Sequence, residues 1–349
     1  MNSNSNSTQP EKRFCPKPFN FLSIHADGTG WVCCHDWLST PIGNLNENTL
    51  SEVWNSETSQ KIRASILDGS FSYCDKETCP ALVKGTLPRL SEITDPDLKQ
   101  IINGNLVALT RGPRVLSLTY DSSCNLKCPT CRSDFINFKG EEYRKAEMIQ
   151  AKVFREGLQD AEELIITGYG DAFASRLYRK LLQTIDAKDF PNLVLTLMTN
   201  GLMFTPSIWD SLWKIHPAIK TLLISIDAAT PETYAINRGG SFPKLMQNLE
   251  FAGQLRVEEK LRWWEITYVV QANNFREMIA FAEMGKRFHC DRVLFQKLIH
   301  WSGTYTDEQF KQVAIHDPAH PQHEEFLEVL RHPIFKEPLV DLSNLAGLV

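Results

Sequence analysis

The chain has 349 residues, of which 42% are hydrophobic and 23% are charged, a composition typical of a globular protein long enough for two domains. Its formal net charge of -5 at pH 7 gives no general attraction to phosphate backbones, so nucleic acid is disfavoured as a partner. No run approaches the ~18 consecutive apolar residues that a membrane-spanning helix needs, so we expect no membrane partner.

The amino terminus and the cysteine content indicate the compartment. Residues 1–12 are rich in Asn and Ser and lack an apolar segment, so we expect a disordered terminus and no signal peptide. The chain contains nine cysteines. An odd number without an export signal favours metal or redox chemistry over a disulfide framework. The expected location is therefore the cytoplasm.

A small cysteine-rich domain is predicted over residues 13–85. Alternating residues at 19–25 and 31–34, joined by the turn-forming segment Ala26-Asp27-Gly28-Thr29-Gly30, predict a β-hairpin. The segment 50–55 is expected to lead into a helix that runs through about Leu67, since Gly69 ends the pattern.

Five cysteines lie in this domain: Cys15, Cys33, Cys34, Cys74 and Cys79. Adjacent residues of a strand point to opposite faces, so only one of Cys33 and Cys34 is expected to act as a ligand. Four thiolates then suffice to close a metal site completely. Iron–sulfur clusters and zinc both accept this ligand set, so the local chemistry leaves the metal open.

A connector is predicted over residues 86–112, followed by alternating strands and helices over 113–300 and by a C-terminal extension over 301–349 that includes a helix at about 321–331. The predicted strands are 115–120, 163–167, 193–198, 221–226, 264–271 and 292–296. The predicted helices between them are 146–157, 174–186, 206–215, 243–257 and 274–287. Such alternation predicts a parallel sheet with helices outside, whose functional residues lie at the carboxyl ends of the strands.

Three more cysteines, Cys124, Cys128 and Cys131, lie on one loop directly after the first of these strands. Thiolates at this C-x3-C-x2-C spacing can hold three irons of a 4Fe-4S cluster and leave the fourth iron open. A zinc site with a fourth ligand from elsewhere in the chain is the alternative.

The spacing Cys124-x3-Cys128-x2-Cys131 resembles the signature of the radical SAM superfamily. The resemblance implies an α/β fold, a partial (β/α)6 TIM-like barrel with a small N-terminal β-hairpin-plus-helix domain. It also implies a 4Fe-4S cluster that binds S-adenosylmethionine. The family often has an aromatic residue near the adenine at the position of Thr130, so that contact is not carried over to this chain.

The N-terminal domain resembles the twitch/SPASM auxiliary-cluster domain of radical SAM enzymes. The likeness lies in the hairpin, Gly43-Asn44-Leu45, the segment 50–55 and the paired cysteines 74 and 79. In most members that domain follows the barrel, whereas here it precedes it. The resemblance implies an auxiliary iron–sulfur cluster, expected to be 4Fe-4S, on Cys15, Cys33, Cys74 and Cys79. Cys33 is preferred to Cys34 because it falls where the family's ligand is usually placed after the turn glycine.

The residues implied to bind S-adenosylmethionine follow successive predicted strands. Gly168, Gly170 and Asp171 correspond to the glycine-rich segment that binds the amino group. Asn200, Ser225 and Asp227 correspond to positions that contact the ribose and the methionyl part, and Arg238 could hold the carboxylate. Turn formation, helix capping and a surface salt bridge are the alternative explanations of these residues. The sequence identifies no catalytic acid, base or hydrogen donor.

The resemblance implies an enzyme, of oxidoreductase type, that reductively cleaves S-adenosylmethionine to a 5'-deoxyadenosyl radical, which abstracts a hydrogen from the substrate. Ribosomal-peptide modification, by crosslinking or epimerisation, is the preferred activity. Radical oxidation or rearrangement of a carbohydrate or other small metabolite is the alternative, and a non-catalytic zinc-binding protein is the second. The expected partners are the peptide or small-molecule substrate and a reductase such as flavodoxin or ferredoxin.

Overall fold

The structure is a computed structural model that describes residues 12–300 and 304–348. It divides into two compact units. The first comprises Met1–Tyr120 and Lys145–Glu162, and the second comprises Asp121–Arg144 and Glu163–Val349. The terminus predicted to be disordered lies, apart from Lys12, outside the described residues. The domain boundaries predicted at 85/86, 112/113 and 300/301 remain predictions.

The first unit contains the hairpin and the helices that pack beside it. Its elements are α1 Lys17–Asn20, β1 Phe21–His25, β2 Thr29–Trp31, β3 Gly43–Asn44, α2 Leu50–Trp54, α3 Glu57–Leu67, α4 Pro80–Val83, α5 Pro96–Gly104, β4 Val115–Thr119 and most of α6 Gly140–Gly157. Strand β2 pairs antiparallel with β1, as in the predicted hairpin, and also with β3. It covers Thr29–Trp31 instead of the predicted 31–34, so Cys33 and Cys34 follow the strand and do not lie in it.

Strand β1 also pairs with β4, in parallel. The register runs over five residues, from Phe21 opposite Val115 to His25 opposite Thr119. The Thr119 hydroxyl donates to the carbonyl of Ile24 over 2.8 Å at the end of this ladder. The hairpin is therefore hydrogen-bonded directly to the strand that leads into the three-cysteine loop, a pairing that the sequence did not predict.

The predicted helix that ends at about Leu67 is α3, which begins at Glu57, and the segment 50–55 before it contains a separate short helix, α2. Thr49 and Glu52 form a capping box at the start of α2. The hydroxyl of Ser56 accepts a hydrogen bond from the backbone N–H of Ser59 and caps α3. Each of these side chains satisfies backbone donors that only a helix start leaves free, so the two helices are separate.

Arg63 of α3 is fully buried and holds four segments of the first unit together. Its guanidinium donates to four acceptors: the carbonyl oxygens of Pro18, Trp54 and Val107 and the side-chain oxygen of Asn55, all at 2.8–3.0 Å. The guanidinium also stacks on the Trp54 ring at 4.3 Å from its centroid. Burial lowers the pKa of Arg63 to about 9, and the surrounding carbonyl dipoles provide the partners of its charge.

The second unit is a parallel α/β arrangement. Its elements are β5 Glu163–Ile166, α7 Arg176–Thr184, β6 Val194–Thr199, α8 Pro206–Ser211, β7 Ile219–Ser225, α9 Pro231–Asn237, α10 Phe242–Val257, β8 Trp263–Val270, α11 Met278–Arg287, β9 Arg292–Lys297, α12 Asp307–Val313, α13 His323–Leu330 and β10 Val340–Asp341. The strand order is β10-β9-β8-β7-β6-β5, and every neighbouring pair is parallel. The predicted fold class, an α/β protein with the parallel strands of a partial TIM-like barrel, is confirmed.

Three elements of the second unit were not predicted: α9, α12 and β10. Helix α9 is capped by Thr230, with Pro231 in its first turn, and α12 begins with a capping box formed by Thr306 and Gln309. Strand β10 has two residues, too few to show a period-2 pattern. Among the described residues, no helix combines the length and apolar character that crossing a membrane requires.

Candidate functional site

The candidate site of the second unit is built where its parallel strands end. Thr167 follows β5, Asn200 follows β6, Asp227 lies two residues after β7, and Gln271 follows β8. All four side chains are almost completely buried. Buried polar side chains at the carboxyl ends of parallel strands are the usual construction of a ligand site in this class of fold.

The loop that carries Cys124, Cys128 and Cys131 begins on a buried aspartate. The Asp121 carboxylate accepts hydrogen bonds from the Ser175 hydroxyl at 2.6 Å and from the Ser123 backbone N–H at 2.8 Å. Its own backbone N–H donates to the Tyr178 hydroxyl at 2.9 Å. Because these partners lie on or beside α7, the start of the loop is fixed before the first cysteine.

Each of the three sulfurs of the loop accepts one side-chain N–H. The donors are Asn200 to Cys124 at 3.7 Å, Arg238 to Cys128 at 3.5 Å, and Arg132 to Cys131 at 3.5 Å. Two of the three donors are guanidinium groups. Such donors stabilise negative charge on sulfur, so the surroundings suit thiolate ligands.

These residues fit a metal cluster rather than free thiols. Burial, and after it the nearby Asp171 carboxylate, raise the pKa of the Cys124 thiol to about 11. A thiol in this position ionises readily only when a metal replaces its proton. The three cysteines and their three donors could therefore hold a 4Fe-4S cluster, and Arg132 is a member of this set that the sequence reasoning missed.

Asp171, predicted to face the amino group of S-adenosylmethionine, has its acceptor sites occupied by the chain. One oxygen accepts from the backbone N–H groups of Phe173 and Ala174, and the other from the Thr199 hydroxyl and the Asn200 N–H, at 2.7–3.0 Å. The side chain is completely buried. The geometry gives this carboxylate a positioning role between β5 and β6, and its contact with the amino group remains a prediction.

Asp227 and Arg238 form a buried ion pair. Asp227 has a left-handed backbone with φ 58°, and its carboxylate lies 2.6 Å from the Arg238 guanidinium and accepts from the Val269 N–H at 2.7 Å. Burial raises the pKa of the Asp227 carboxyl, and Arg238 opposes that change. The terminal nitrogens of Arg238 contact Asp227 and Cys128, and its Nε has no partner among the described residues, so Nε is available for the predicted contact with a ligand carboxylate.

Three buried donors at this edge have no hydrogen-bond partner in the described part of the chain: the Tyr234 hydroxyl, Arg238 Nε and Gln271 Nε2. A buried donor without an acceptor is costly, by about 1–3 kcal/mol each. A ligand rich in acceptors, with a carboxylate and ribose hydroxyls, would supply what these groups lack. S-adenosylmethionine has this chemistry. The sequence placed Gln271 at the end of a predicted strand, whereas Tyr234 gave no separate signal.

The predicted residues Gly168 and Ser225 are also at this edge. Gly168 is exposed on the loop after β5, and the Ser225 hydroxyl accepts from the Thr267 hydroxyl at 3.1 Å between β7 and β8. Their contacts with S-adenosylmethionine remain predictions. The serine is thus placed by a neighbouring strand, and the glycine leaves its loop open to solvent.

Gly170 permits a close approach of two loops, which makes it a test of the site. A Cβ atom at this position would lie 2.6 Å from the carbonyl oxygen of Asp121 and 3.3 Å from that of Ser123. We expect Gly170→Ala to displace the cysteine loop and to lower the affinity for S-adenosylmethionine by about tenfold or more, since ~1.4 kcal/mol corresponds to tenfold. Equilibrium binding to the reconstituted protein measures this. Gly347→Ala, where a Cβ meets nothing within 4 Å, is the control, and equal affinities in both variants would contradict the expectation.

The first unit brings four thiols into electrostatic contact. Burial, and after it the neighbouring thiols of Cys15, Cys33 and Cys79, raise the pKa of Cys74 to about 12. Burial likewise raises the pKa of Cys15 to about 11, with Cys33 and Cys79 again among the causes. Cys34 instead donates to the Asp36 carboxylate at 3.5 Å. The predicted set, with Cys33 as the fourth ligand, therefore lies together, and its metal binding remains a prediction.

We expect Cys33→Ala to remove the auxiliary cluster and Cys34→Ala to retain it. The reason is that Cys33 adjoins the other thiols, whereas Cys34 faces a carboxylate that opposes ionisation of its thiol. Iron and sulfide analysis of anaerobically purified protein measures the difference, about four irons per chain for a 4Fe-4S cluster. Loss of iron in Cys34→Ala together with full iron in Cys33→Ala would reverse the assignment.

Comparison with known proteins gives two matches to family sequence models. Residues 15–80 match SPASM, an iron-sulfur cluster-binding domain, and residues 122–284 match the radical SAM superfamily. A search of curated proteins gave no match.

Solved structures with a similar fold include three proteins with low sequence identity. SuiB of Streptococcus suis is 13% identical, and the match covers 73% of this chain and 54% of that chain with a TM-score of 0.43. TYW1 with a lysine-pyruvate adduct bound is 14% identical, with 64% of this chain and 71% of that chain covered and a TM-score of 0.39. The structure of anSMEcpe with bound AdoMet is 18% identical, with 57% of each chain covered and a TM-score of 0.40. The chain thus spans about half the length of the SuiB chain that it matches.

The two matched segments contain the two cysteine sets described above, in the order in which the sequence predicted them. The two domain types imply 4Fe-4S clusters, for which the sulfur donors and buried thiols of this chain provide suitable surroundings. The chain contains a radical SAM domain, with a SPASM domain on the N-terminal side of it.

Proposed function

We propose that this chain is a radical SAM enzyme that modifies a ribosomal peptide by forming a crosslink or an epimer. The observation that carries the radical SAM chemistry of this proposal is the three-cysteine loop, whose sulfurs accept side-chain N–H groups from Asn200 after β6, Arg238 at the end of α9 and Arg132 on the loop itself. A loop with three ligands, placed at the carboxyl edge of a parallel sheet, suits a cluster with one open iron.

The cluster, when bound, would supply the electron that reductively cleaves S-adenosylmethionine to a 5'-deoxyadenosyl radical, which takes a hydrogen from the substrate. The chain's own residues hold and orient the reactants. Cys124, Cys128 and Cys131 would be the ligands. Asp171 fixes the ends of β5 and β6, and the unpartnered donors of Tyr234 and Gln271 would bind acceptor atoms of S-adenosylmethionine.

The four thiols of the first unit would hold an auxiliary 4Fe-4S cluster. Lys17 lies near two of them, Cys15 and Cys33, where its positive charge favours their ionised forms. We propose a reductase such as flavodoxin or ferredoxin as the electron source. Nine unpaired cysteines suit the reducing cytoplasm, which we propose as the location.

The test of the reaction is made on anaerobically reconstituted protein reduced with dithionite. We expect 5'-deoxyadenosine and methionine to form from S-adenosylmethionine in equal amounts, measured by liquid chromatography and mass spectrometry, slowly even without substrate. Zinc at both cysteine sites, or no product above the level of the oxidised protein, would refute the proposal.

A second measurement identifies the substrate class. Deuterium transferred from a substrate labelled at unactivated carbons into 5'-deoxyadenosine reports the hydrogen abstraction directly. We expect transfer from a candidate precursor peptide encoded near the gene and none from carbohydrates or other small metabolites. The reverse pattern would replace the peptide substrate by a small metabolite while leaving the cleavage reaction intact.

A further inference from the structure

Arg132, the residue after the third cysteine, occupies an unusual place in the site. It is 7% exposed. Its Nη1 donates to the carbonyl of Ser122 at 2.7 Å, and its Nε donates to Cys131 Sγ at 3.5 Å. Its guanidinium also lies 4.7 Å from the centroid of the Tyr169 ring. Three contacts therefore fix this cation against the loop, and the aromatic ring limits its access to water.

The charge of Arg132 acts on the sulfurs without a carboxylate as its main partner. Apart from burial, the groups that affect this guanidinium most are Cys131, Cys124 and Tyr169. Arg238, the other guanidinium at the sulfurs, differs because Asp227 lies 2.6 Å from it and offsets its charge. Arg132 is thus the buried cation whose field acts most directly on the cysteine ligands.

We propose that Arg132 is a positioning residue that sets the reduction potential of the cluster held by the three-cysteine loop. The inference rests on the proposed function, since it presumes a 4Fe-4S cluster at these ligands. An external reductant adds one electron and makes the cluster with its thiolates more negative by one charge. Arg132 stabilises that reduced state through its positive charge and the N–H that it donates to Cys131, so it raises the reduction potential of the cluster. Tyr169 keeps the guanidinium in place.

The test is an anaerobic redox titration of the reconstituted full chain, followed by electron paramagnetic resonance. The signal that changes when S-adenosylmethionine is added identifies the cluster of the loop and separates it from the auxiliary one. We expect Arg132→Met to reduce the equilibrium constant for reduction by about tenfold or more, which is ~59 mV for one electron. Arg132→Lys, which keeps the charge, should stay closer to the unmodified chain.

Lys127→Met is the matched control. Lys127 is an exposed cation of the same loop whose ammonium lies 5.6 Å from the Phe135 ring centroid, and its removal costs the same formal charge. We expect less than a threefold change in this variant. Equal shifts in Arg132→Met and Lys127→Met would overturn the inference, because net charge alone would then account for both.

If Arg132→Met fails to hold iron, the Arg132→Lys and Arg132→Gln variants show whether the charge of the side chain affects the reduction potential. Arg132→Gln keeps an N–H donor but has no charge. A lower reduction potential in Arg132→Gln than in Arg132→Lys supports the inference, and equal reduction potentials refute it. An unmodified chain without the S-adenosylmethionine-sensitive signal contradicts the proposed function itself. If the unmodified chain shows that signal and Arg132→Met has the same reduction potential, only the role of Arg132 is contradicted.

Discussion

Cys124→Ala is expected to abolish the cleavage of S-adenosylmethionine. Cys124 is one of three ligands on a loop that offers no fourth cysteine, and its sulfur accepts the Asn200 amide N–H. Loss of one ligand leaves two thiolates, which do not retain a 4Fe-4S cluster. We expect the rate of 5'-deoxyadenosine formation to fall by at least about a thousandfold, which corresponds to a rise of roughly 4 kcal/mol in the activation free energy.

Cys290→Ala is the matched control for this change. Cys290 lies between α11 and β9, is 9% exposed, and burial raises the pKa of its thiol well above the ordinary value. We expect the control to keep its iron and its cleavage rate. Product formation by Cys124→Ala at the rate of the control would show that the loop is not the site of the reaction.

Arg63→Met is expected to destabilise the first unit by ~3–5 kcal/mol, since it leaves several buried acceptors unsatisfied at once. Three of these acceptors are backbone carbonyls, of Pro18, Trp54 and Val107, so the loss is distributed over segments far apart in sequence. Urea unfolding of the full chain, followed by tryptophan fluorescence, measures it, because the Arg63 guanidinium stacks on Trp54.

The control for Arg63 is Arg155→Met on α6 of the same unit. The Arg155 side chain is 69% exposed and pairs with Glu156 at the surface. Exposed ion pairs contribute about 0–1 kcal/mol, so we expect little change in the free energy of unfolding. A loss below ~1 kcal/mol in Arg63→Met would mean that water replaces the guanidinium at its acceptors.

The cysteine sets, the alternating strands and the polar strand ends could be predicted because each is a local pattern. The spacing of Cys124, Cys128 and Cys131 is a local signature, and the strand that precedes it is apolar. The resemblance to a family then connected these separate signals. Both the fold class and the family assignment are confirmed.

The contacts that complete the site and the first unit are of a different kind. The pairing of β1 with β4 joins segments about ninety residues apart, and nothing in either segment specifies its partner. Arg63 and Arg132 look like ordinary charged residues in the sequence, and only the fold shows that both are buried. Asp171 was recognised as important from its glycine-rich segment, whereas its hydrogen bonds to Thr199 and Asn200 depend on the approach of two strands.

The parallel ladder between β1 and β4 has a consequence for any attempt to cut the protein into parts. Deletion of residues 13–85 would remove the paired strand β1 from Val115–Thr119 and leave backbone amide and carbonyl groups of β4 without hydrogen-bond partners. Leu116 and Leu118, both fully shielded in the intact chain, belong to that row. Such an open, apolar margin recruits strands from other molecules. The cysteine-rich segment is therefore a structural partner of β4 and not a removable accessory.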